Sequence, residues 1–277
     1  MEITIDELKK ITPQNNFVLI RLDRSQDELI MKGGGKLYLD TSFEVEKHAP
    51  VTGNVQALPE KLFYNRKHPD SLLWDTDMEL QLEDYVICYF MSSVNAFSKQ
   101  YQRIVTCQGQ EYMFVKYENI FVAKRPRHPW DKHDEAIFFG KDYKDVEGFR
   151  IIPINGYLIC EELFDEKYIE MEEKARAVDM DLPPMIKDKF SGKYVRVCYV
   201  GKPNKEYKEK RFTDENCDVV PGDVVSVRKH SNIPLEYDLH ASLDGRKKFI
   251  RIQRKFVTGI IVDEKWKATL QTEISPS

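Results

Sequence analysis

The feature that most constrains the fold of this chain is a series of strand-like runs that occurs twice. Residues 17–22, 51–58, 80–90 and 112–122 are rich in β-branched and aromatic residues, and turn residues separate them. A matching series begins with Asn155, which follows Asn16 by 139 residues (155 minus 16), and Gly192 follows Gly53 at the same offset. Further on, residues 249–252 match 114–117 at an offset of 135. The repeated order favours two copies of one β domain over one large sheet.

Between the two series the chain loses its apolar periodicity. Residues 123–150 are rich in charges, prolines and histidines, and 137–139 form the one apolar island among them. Such a stretch is typical of a linker. We therefore predict an all-β protein with a first domain at residues 1–122, a linker at 123–150, a second domain at 151–262 and a C-terminal tail at 263–277.

Two helices are expected beside the strands. Thr4 and Glu7 have the spacing of a capping box, and the apolar residues that follow predict a short helix before Pro13. In the second series, apolar residues recur every three or four positions before Pro183. They predict an amphipathic helix inserted in the second copy, and they are Phe164, Tyr168, Met171, Ala175 and Val178.

The two series differ most in residues 24–52, where only the first carries a glycine cluster. Gly33, Gly34 and Gly35 are followed by Lys36, Leu37, Tyr38 and Leu39. Three glycines lose much backbone entropy on ordering, so an apolar segment beside them suits reversible docking into a partner. The alternative, which the residues alone favour, is a hairpin turn followed by an ordinary strand. A phosphate-binding loop is excluded, because Leu37 stands where Ser or Thr is needed.

Composition excludes several classes of partner. The 42 basic and 46 acidic residues give a net charge of -4, which provides no field for nucleic acid. No apolar run reaches membrane-spanning length, and the polar, acidic first ten residues predict no secretory signal. The five cysteines lack C-x-x-C spacing and mostly lie in apolar runs, which indicates reduced thiols in a cytoplasmic protein.

Enzyme chemistry is not expected. The six histidines show no i, i+4 pair and no neighbouring cysteine pair, so no metal site is predicted. The chain contains no G-x-G-x-x-G dinucleotide motif and no G-x-S-x-G nucleophile motif. Its carboxylates lie mostly in mixed-charge runs typical of solvated faces. We predict no catalysis and no cofactor.

The order of these motifs resembles the co-chaperonins of GroES type. The resemblance rests on five stretches taken in order, and no single motif among them is specific. They are 16–22, the glycine segment with its apolar tripeptide, Thr52-Gly53-Asn54-Val55-Gln56-Ala57, 82–86 and 112–122. In the second half, Pro221-Gly222-Asp223-Val224-Val225 is nearer the family pattern than its first-half counterpart, where Glu83 replaces the glycine. The duplicated layout is similar to that of plastid co-chaperonins or of diverged phage-encoded ones.

The resemblance implies two tandem GroES-like irregular β-barrels, assembly into a homo-oligomeric ring, and docking of a mobile loop onto a chaperonin ring (GroEL type). On this analogy Gly33, Gly34 and Gly35 are the hinge, and Leu37, Tyr38 and Leu39 are the docking residues. Lys36, between glycines and apolar triplet, and the bulky Tyr38 depart from the family pattern. The competing hypothesis is a structural or assembly protein, such as a phage component, that keeps the barrel without binding a chaperonin.

The resemblance also points to a roof hairpin before strand residues 82–86. We call residues 60–77 the roof segment; it contains Phe63, Tyr64, Leu72, Leu73 and Trp74. This cluster is too apolar for a free loop. It is expected either to pack on a neighbouring subunit or to fold back onto its own domain.

Overall fold

The structure is a computed structural model that describes residues 2–23, 28–30, 36–38, 51–92, 103–126, 149–164, 166–177, 190–209, 213–216, 219–235 and 249–261. Its described residues divide into two compact units. Unit 1 takes them from Met1–Pro126, Phe149–Asn155 and Asn204–Phe212, and unit 2 from Gly156–Pro203 and Thr213–Ser277. The predicted tail at 263–277 lies outside the described residues.

Unit 1 is built around an antiparallel seven-stranded sheet with the order β10-β9-β6-β4-β1-β8-β7. Alternating apolar side chains of these strands form its core, with Val18, Ile20, Val55, Val86 and Met113 fully buried. The strands of this half are β1 Phe17–Leu22, β2 Glu28–Ile30, β3 Lys36–Tyr38, β4 Thr52–Ala57, β5 Trp74–Asp75, β6 Tyr85–Cys88, β7 Ile104–Cys107, β8 Gln110–Lys116, β9 Ile120–Pro126 and β10 Phe149–Pro153.

Unit 2 contains an antiparallel six-stranded sheet with the order β15-β16-β11-β12-β14-β17. Its core is again apolar, with Leu158, Val195, Val197, Val225 and Ile252 buried. The strands are β11 Tyr157–Phe164, β12 Phe190–Val200, β14 Val224–Val227, β15 Ile233–Pro234, β16 Phe249–Gln253 and β17 Val257–Ile261. The remaining strand, β13 Glu206–Tyr207, pairs with β5 and belongs to unit 1.

The all-β prediction is confirmed, but closed barrels are not observed. Among the described residues neither sheet closes, because the edge strands β7 and β10 do not pair with each other, nor do β15 and β17. The order β9-β6-β4-β1-β8-β7 in unit 1 matches β17-β14-β12-β11-β16-β15 in unit 2, strand for strand along the chain.

The registers of matching strands differ from the offsets of the sequence alignment. In unit 1 Gly53 lies opposite Val86, whereas in unit 2 Val195 lies opposite Val225, the residue 139 positions after Val86. Gly53 therefore matches Val195, and its alignment with Gly192 is wrong by three residues. The bulges in the β1–β4 and β11–β12 ladders shift the pairing without leaving a pattern in the sequence.

The ends of the predicted linker lie in strands. β9 extends to Pro126, and β10, which begins at Phe149, pairs with it antiparallel along its whole length. Residues 127–148 lie outside the described residues. The strand that follows the linker thus belongs to unit 1, and the described part of unit 2 starts at Gly156.

A helix is present at both predicted places, but Phe164, assigned to the second helix by the prediction, is the last residue of β11, and Met171 is 40% exposed. Helix α1, Ile5–Lys9, has a complete capping box, in which the Glu7 amide donates to Thr4 Oγ1 at 3.3 Å and the Thr4 amide donates to Glu7 Oε2 at 2.8 Å. Helix α2, Glu166–Ala177, follows β11 in unit 2. Within the described ranges, no helix has the length and apolar character needed to cross a membrane.

Candidate partner-binding site

The predicted docking residues lie in and around a short hairpin. Lys36, Leu37 and Tyr38 form β3, which pairs antiparallel with β2 so that Leu29 lies opposite Leu37 and Glu28 opposite Tyr38. These two strands form a sheet of their own, separate from the seven-stranded sheet. Gly33, Gly34, Gly35 and Leu39 lie outside the described residues. The extended backbone at Lys36–Tyr38 is compatible with both interpretations of the sequence analysis, an ordinary strand and an extended docking segment.

The chain that carries this hairpin leaves and re-enters the main sheet at one point. β1 ends at Leu22 and β4 begins at Thr52, and Leu22 lies opposite Gly53 in the ladder. The Asp23 amide donates to the Thr52 carbonyl oxygen at 3.1 Å. Residues 24–50, the excursion, therefore connect Asp23 to Val51 and Thr52, which are held in the sheet close to Asp23.

Side chains reinforce this base. The Thr52 hydroxyl donates to Asp23 Oδ2 at 2.6 Å, and the Tyr85 hydroxyl donates to the same oxygen at 2.7 Å. The Gln110 amide nitrogen donates to the Leu22 carbonyl oxygen at 2.8 Å. The base thus joins β1, β4, β6 and β8 through polar contacts at the end of the sheet.

Gly53 allows β1 and β4 to approach each other closely at the base. A Cβ atom at this position would lie 2.2 Å from the carbonyl oxygen of Arg21 on the neighbouring strand, a distance that no side chain tolerates. Below this point Leu22, Val51 and Val55 are buried in the unit 1 core. Glycine is required at position 53 because the backbones of β1 and β4 approach each other closely there. The segment that carries the hairpin is therefore attached to a rigid part of the sheet.

The roof segment mostly folds back onto its own unit. Leu72 and Trp74 are buried, while Phe63 and Leu73 remain 43% and 52% exposed. Trp74 is buried without a neighbouring subunit, because a strand from later in the same chain covers it.

That covering strand is β13, which belongs to residues 204–209. In its pairing with β5, Glu206 lies opposite Asp75 and Tyr207 opposite Trp74, and the two rings are 5.9 Å apart between centroids. Tyr207 is buried. Lys208 Nζ donates to the carbonyl oxygen of Ser71 at 2.6 Å. Sequence reasoning missed this contact, since residues 202–211 show only alternating charge.

A polar cluster that contacts the roof segment at Trp74 is centred on Asn155, which is fully buried. Its amide nitrogen Nδ2 donates to the carbonyl oxygens of Tyr117 and Ile120 at 2.8 and 3.0 Å, and its Oδ1 accepts from Trp74 Nε1 at 3.2 Å. The Asn204 side chain donates to its carbonyl oxygen at 2.9 Å. Asn155 therefore satisfies buried polar groups from several segments, and its role is structural.

The same cluster raises the pKa of Tyr117. The Tyr117 hydroxyl donates to Glu79 Oε2 at 3.3 Å, and it accepts from the Glu79 amide at 3.1 Å. Burial, followed by the negative charge of Glu79, raises the pKa of Tyr117 well above its usual value. The hydroxyl therefore stays protonated as a donor at all physiological pH values.

Asp84 organises the turn that enters β6. Its carboxylate accepts from Arg125 Nε and Nη2, both at 2.8 Å, and from the Gln81 amide at 2.7 Å. Asp223 repeats the local contact in unit 2, accepting from the Val220 amide at 2.9 Å. The residue before each aspartate has a positive φ, 66° for Glu83 and 92° for Gly222. Glu83 thus adopts a conformation that favours glycine, the residue that unit 2 has at the matching position.

The described residues contain no group of three His, Cys, Asp or Glu side chains placed to hold a metal ion. Four cysteines, Cys88, Cys107, Cys160 and Cys198, are buried and in the thiol form. Burial is the main cause that raises the pKa of the Cys160 thiol well above its usual value, which opposes thiolate formation.

Comparison with known proteins adds no relative from which a function could be transferred. No protein-family model matches the chain, and no curated protein matches it. The features that bear on function are the β2–β3 hairpin, its base and the strand order within each sheet.

Proposed function

We propose that this protein is a binding protein of co-chaperonin type, which docks onto a chaperonin ring through the segment that includes the β2–β3 hairpin. The observation that carries the proposal is the hydrogen-bonded base at which residues 24–50 leave and rejoin the sheet. An excursion whose flanking residues Asp23 and Thr52 are bonded to each other, and whose hairpin forms a sheet of its own, can engage a partner without disturbing the core.

The hairpin has the chemistry that a shallow apolar groove would recognise. Leu37 and Tyr38 lie in an extended strand, and extended apolar segments bind grooves through alternate side chains. Gly33, Gly34 and Gly35 make ordering of the segment costly, so each contact is weak and reversible. Weak contacts repeated around a homo-oligomer become strong through effective concentration.

The matching strand order of the two sheets supports a duplicated GroES-like unit as the scaffold. Where unit 1 carries the excursion between its first and second main strands, unit 2 carries α2 between β11 and β12. On this proposal only unit 1 docks, and unit 2 serves the assembly. The proposal includes no catalysis, no cofactor and no nucleic acid, and it places the protein in the cytoplasm.

The test is ATP-dependent capture by a purified GroEL-type ring. The docking variant combines Leu37→Ser and Leu39→Ser, and the control is Leu82→Ser, which makes the same change at a leucine that is 61% exposed in the loop before β6. We expect the docking variant to lose capture and the control to retain it. Binding that survives in both variants would leave the alternative of an assembly protein without a chaperonin.

A further inference from the structure

One side of the unit 1 sheet carries an open cavity of about 570 Å³, a volume within the range of small-molecule sites. All of its described lining residues belong to unit 1. Strands β1, β4, β7 and β8 contribute the floor, and helix α1 with Ile11 contributes a wall. The cavity lies on the side of the sheet that holds Leu19 and Tyr112, away from the core around Val18 and Ile20.

Helix α1 covers this side of the sheet only in part. It is five residues long, and none of its residues is buried. Leu8 packs against the cluster that includes Leu19 and Tyr112, whereas Ile5 is 41% exposed. Protein interiors are normally packed without gaps of this size. The space that α1 leaves above the sheet is therefore large enough for an additional molecule.

The lining combines an apolar surface with positive charge. Its apolar residues are Ile5, Leu8, Ile11, Ala57 and Tyr112. Lys9 and Arg21 are the charged residues of the described lining, which contains no carboxylate. Within the described part of the chain neither cation joins an ion pair, and the Arg21 side chain makes one long hydrogen bond, to Asn54 Oδ1 at 3.4 Å. Both cations are thus available to a negatively charged ligand.

Tyr112 adds a buried hydrogen-bond donor. It is 8% exposed, and its hydroxyl makes no hydrogen bond to any residue that the structure describes. Buried tyrosine hydroxyls usually have a partner. Burial is the main cause that raises the pKa of Tyr112, so the hydroxyl stays protonated and can donate to an anion.

The turn between β7 and β8 is strained at the edge of the cavity. Its central residues are Gln108 and Gly109, and both have a positive φ, 51° and 75°. Asn-Gly is the usual sequence of such a turn, because asparagine adopts a positive φ more readily than most other residues. Strained residues of this kind cluster at functional sites. The amide of Gln108 lines the cavity, where it can form a hydrogen bond to a ligand.

We propose that this cavity binds a small organic anion, in which a carboxylate or a phosphate ester is attached to a compact apolar group. The acidic oxygens accept hydrogen bonds from Arg21, Lys9 and Tyr112, and the apolar group lies against Ile5 and Ala57. Charge-assisted hydrogen bonds of this kind are short and strong, so they fix the orientation of the ligand. A neutral ligand would leave both cations without a counter-charge.

The test is calorimetric titration of the full chain without a chaperonin, so its result is independent of the proposed function. Octanoate represents a fatty acid, and phenyl phosphate represents a phosphate ester of a flat ring. We expect the preferred anion to bind with a Kd of about 1 mM or lower, as suits ligands of this size. The tighter of the two identifies the source of the anion. Two control ligands, octanamide without the charge and inorganic phosphate without the apolar group, should bind at least about tenfold more weakly.

Charge substitutions locate the binding site. Arg21→Gln and Lys9→Gln each remove one cation from the cavity, and each should raise the Kd about three- to tenfold. The matched control is Lys10→Gln, which removes the same charge from the next residue of the chain. Lys10 is exposed and is not among the described lining residues. We expect its substitution to leave the Kd unchanged.

Gln108→Gly separates binding from stability. Glycine adopts a positive φ without strain, so the urea midpoint should not fall. Loss of the amide should nevertheless raise the Kd about two- to fivefold. The proposal would be overturned by a failure of both anions to bind, by equal affinity for octanoate and octanamide, or by equal effects of Lys9→Gln and Lys10→Gln.

Discussion

The hydroxyl of Thr52 donates to Oδ2 of Asp23 at 2.6 Å, at the point where residues 24–50 leave and re-enter the sheet. Thr52 is buried, while Asp23 is exposed and also accepts from Tyr85. The contact closes the base of the excursion, so its strength bears on how firmly the hairpin is supported.

Thr52→Val keeps the shape of the side chain and removes this donor. We expect the free energy of unfolding to fall by about 0.5–1.5 kcal/mol, the usual value of one intramolecular hydrogen bond. Urea unfolding measures the change. Tyr85→Phe removes the other donor to the same oxygen, and the double variant should show a non-additive loss, because the two hydroxyls share one carboxylate. If the two single losses of unfolding free energy simply add in the double variant, Asp23 does not couple the Thr52 and Tyr85 hydroxyls.

Glu83→Gly should stabilise the protein. Glu83 has a φ of 66°, where a side chain costs about 1–2 kcal/mol and glycine does not. Part of this gain is lost because glycine makes the unfolded chain more flexible, so we expect a net increase of about 0.5–1 kcal/mol. The matched variant is Gly222→Ala, at a φ of 92° in unit 2, which should destabilise. A lower urea midpoint for Glu83→Gly would show that the glutamate makes a compensating contact.

We expect the free energy of unfolding to fall at alkaline pH because of Tyr117. Its folded pKa is raised, mainly by burial and then by the charge of Glu79, so the neutral hydroxyl is favoured in the folded state. The corresponding stability is fully present below the unfolded pKa of about 10 and is lost as pH rises from there toward the folded pKa. Urea midpoints measured on both sides of pH 10 follow this loss.

The control for this pH dependence is Tyr117→Phe. It should lower stability at neutral pH by about 1–3 kcal/mol, because Glu79 loses a buried partner. It should also flatten the alkaline decline relative to the wild type. An unchanged slope above pH 10 would assign the decline to other groups.

Tyr207→Ala tests the covering strand. Removal of this buried ring should cost about 3–5 kcal/mol, as for other large aromatic truncations in cores. It should also expose Trp74 and shift its fluorescence emission to longer wavelength. Glu206→Ala, on the same strand, removes a partly exposed ion pair with Arg66 and a hydrogen bond from the Tyr64 hydroxyl, and it should cost only about 0.5–2 kcal/mol. Similar losses in both variants would mean that β13 does not shield Trp74.

Local patterns determined much of the fold. The capping box at Thr4 and Glu7, the apolar spacing in residues 164–178 and the runs rich in β-branched and aromatic residues all predicted elements that the structure contains. These signals depend on residues close together in sequence, where backbone preference and one buried face are enough to select helix or strand. The sequence of strand runs along the chain was likewise predicted from residues close together, whereas their order within each sheet was not.

Long-range pairing was decided by the tertiary structure. The match of Gly53 with Val195, the position of β10 in unit 1 and the cover that β13 gives Trp74 leave no periodic signal, because each depends on bulges or on partners far away in the chain. The central place of Asn155 likewise depends on four segments that meet only after folding. Sequence thus specified the elements, and packing chose their registers and neighbours, since a shift of one residue reverses which side chains a strand buries.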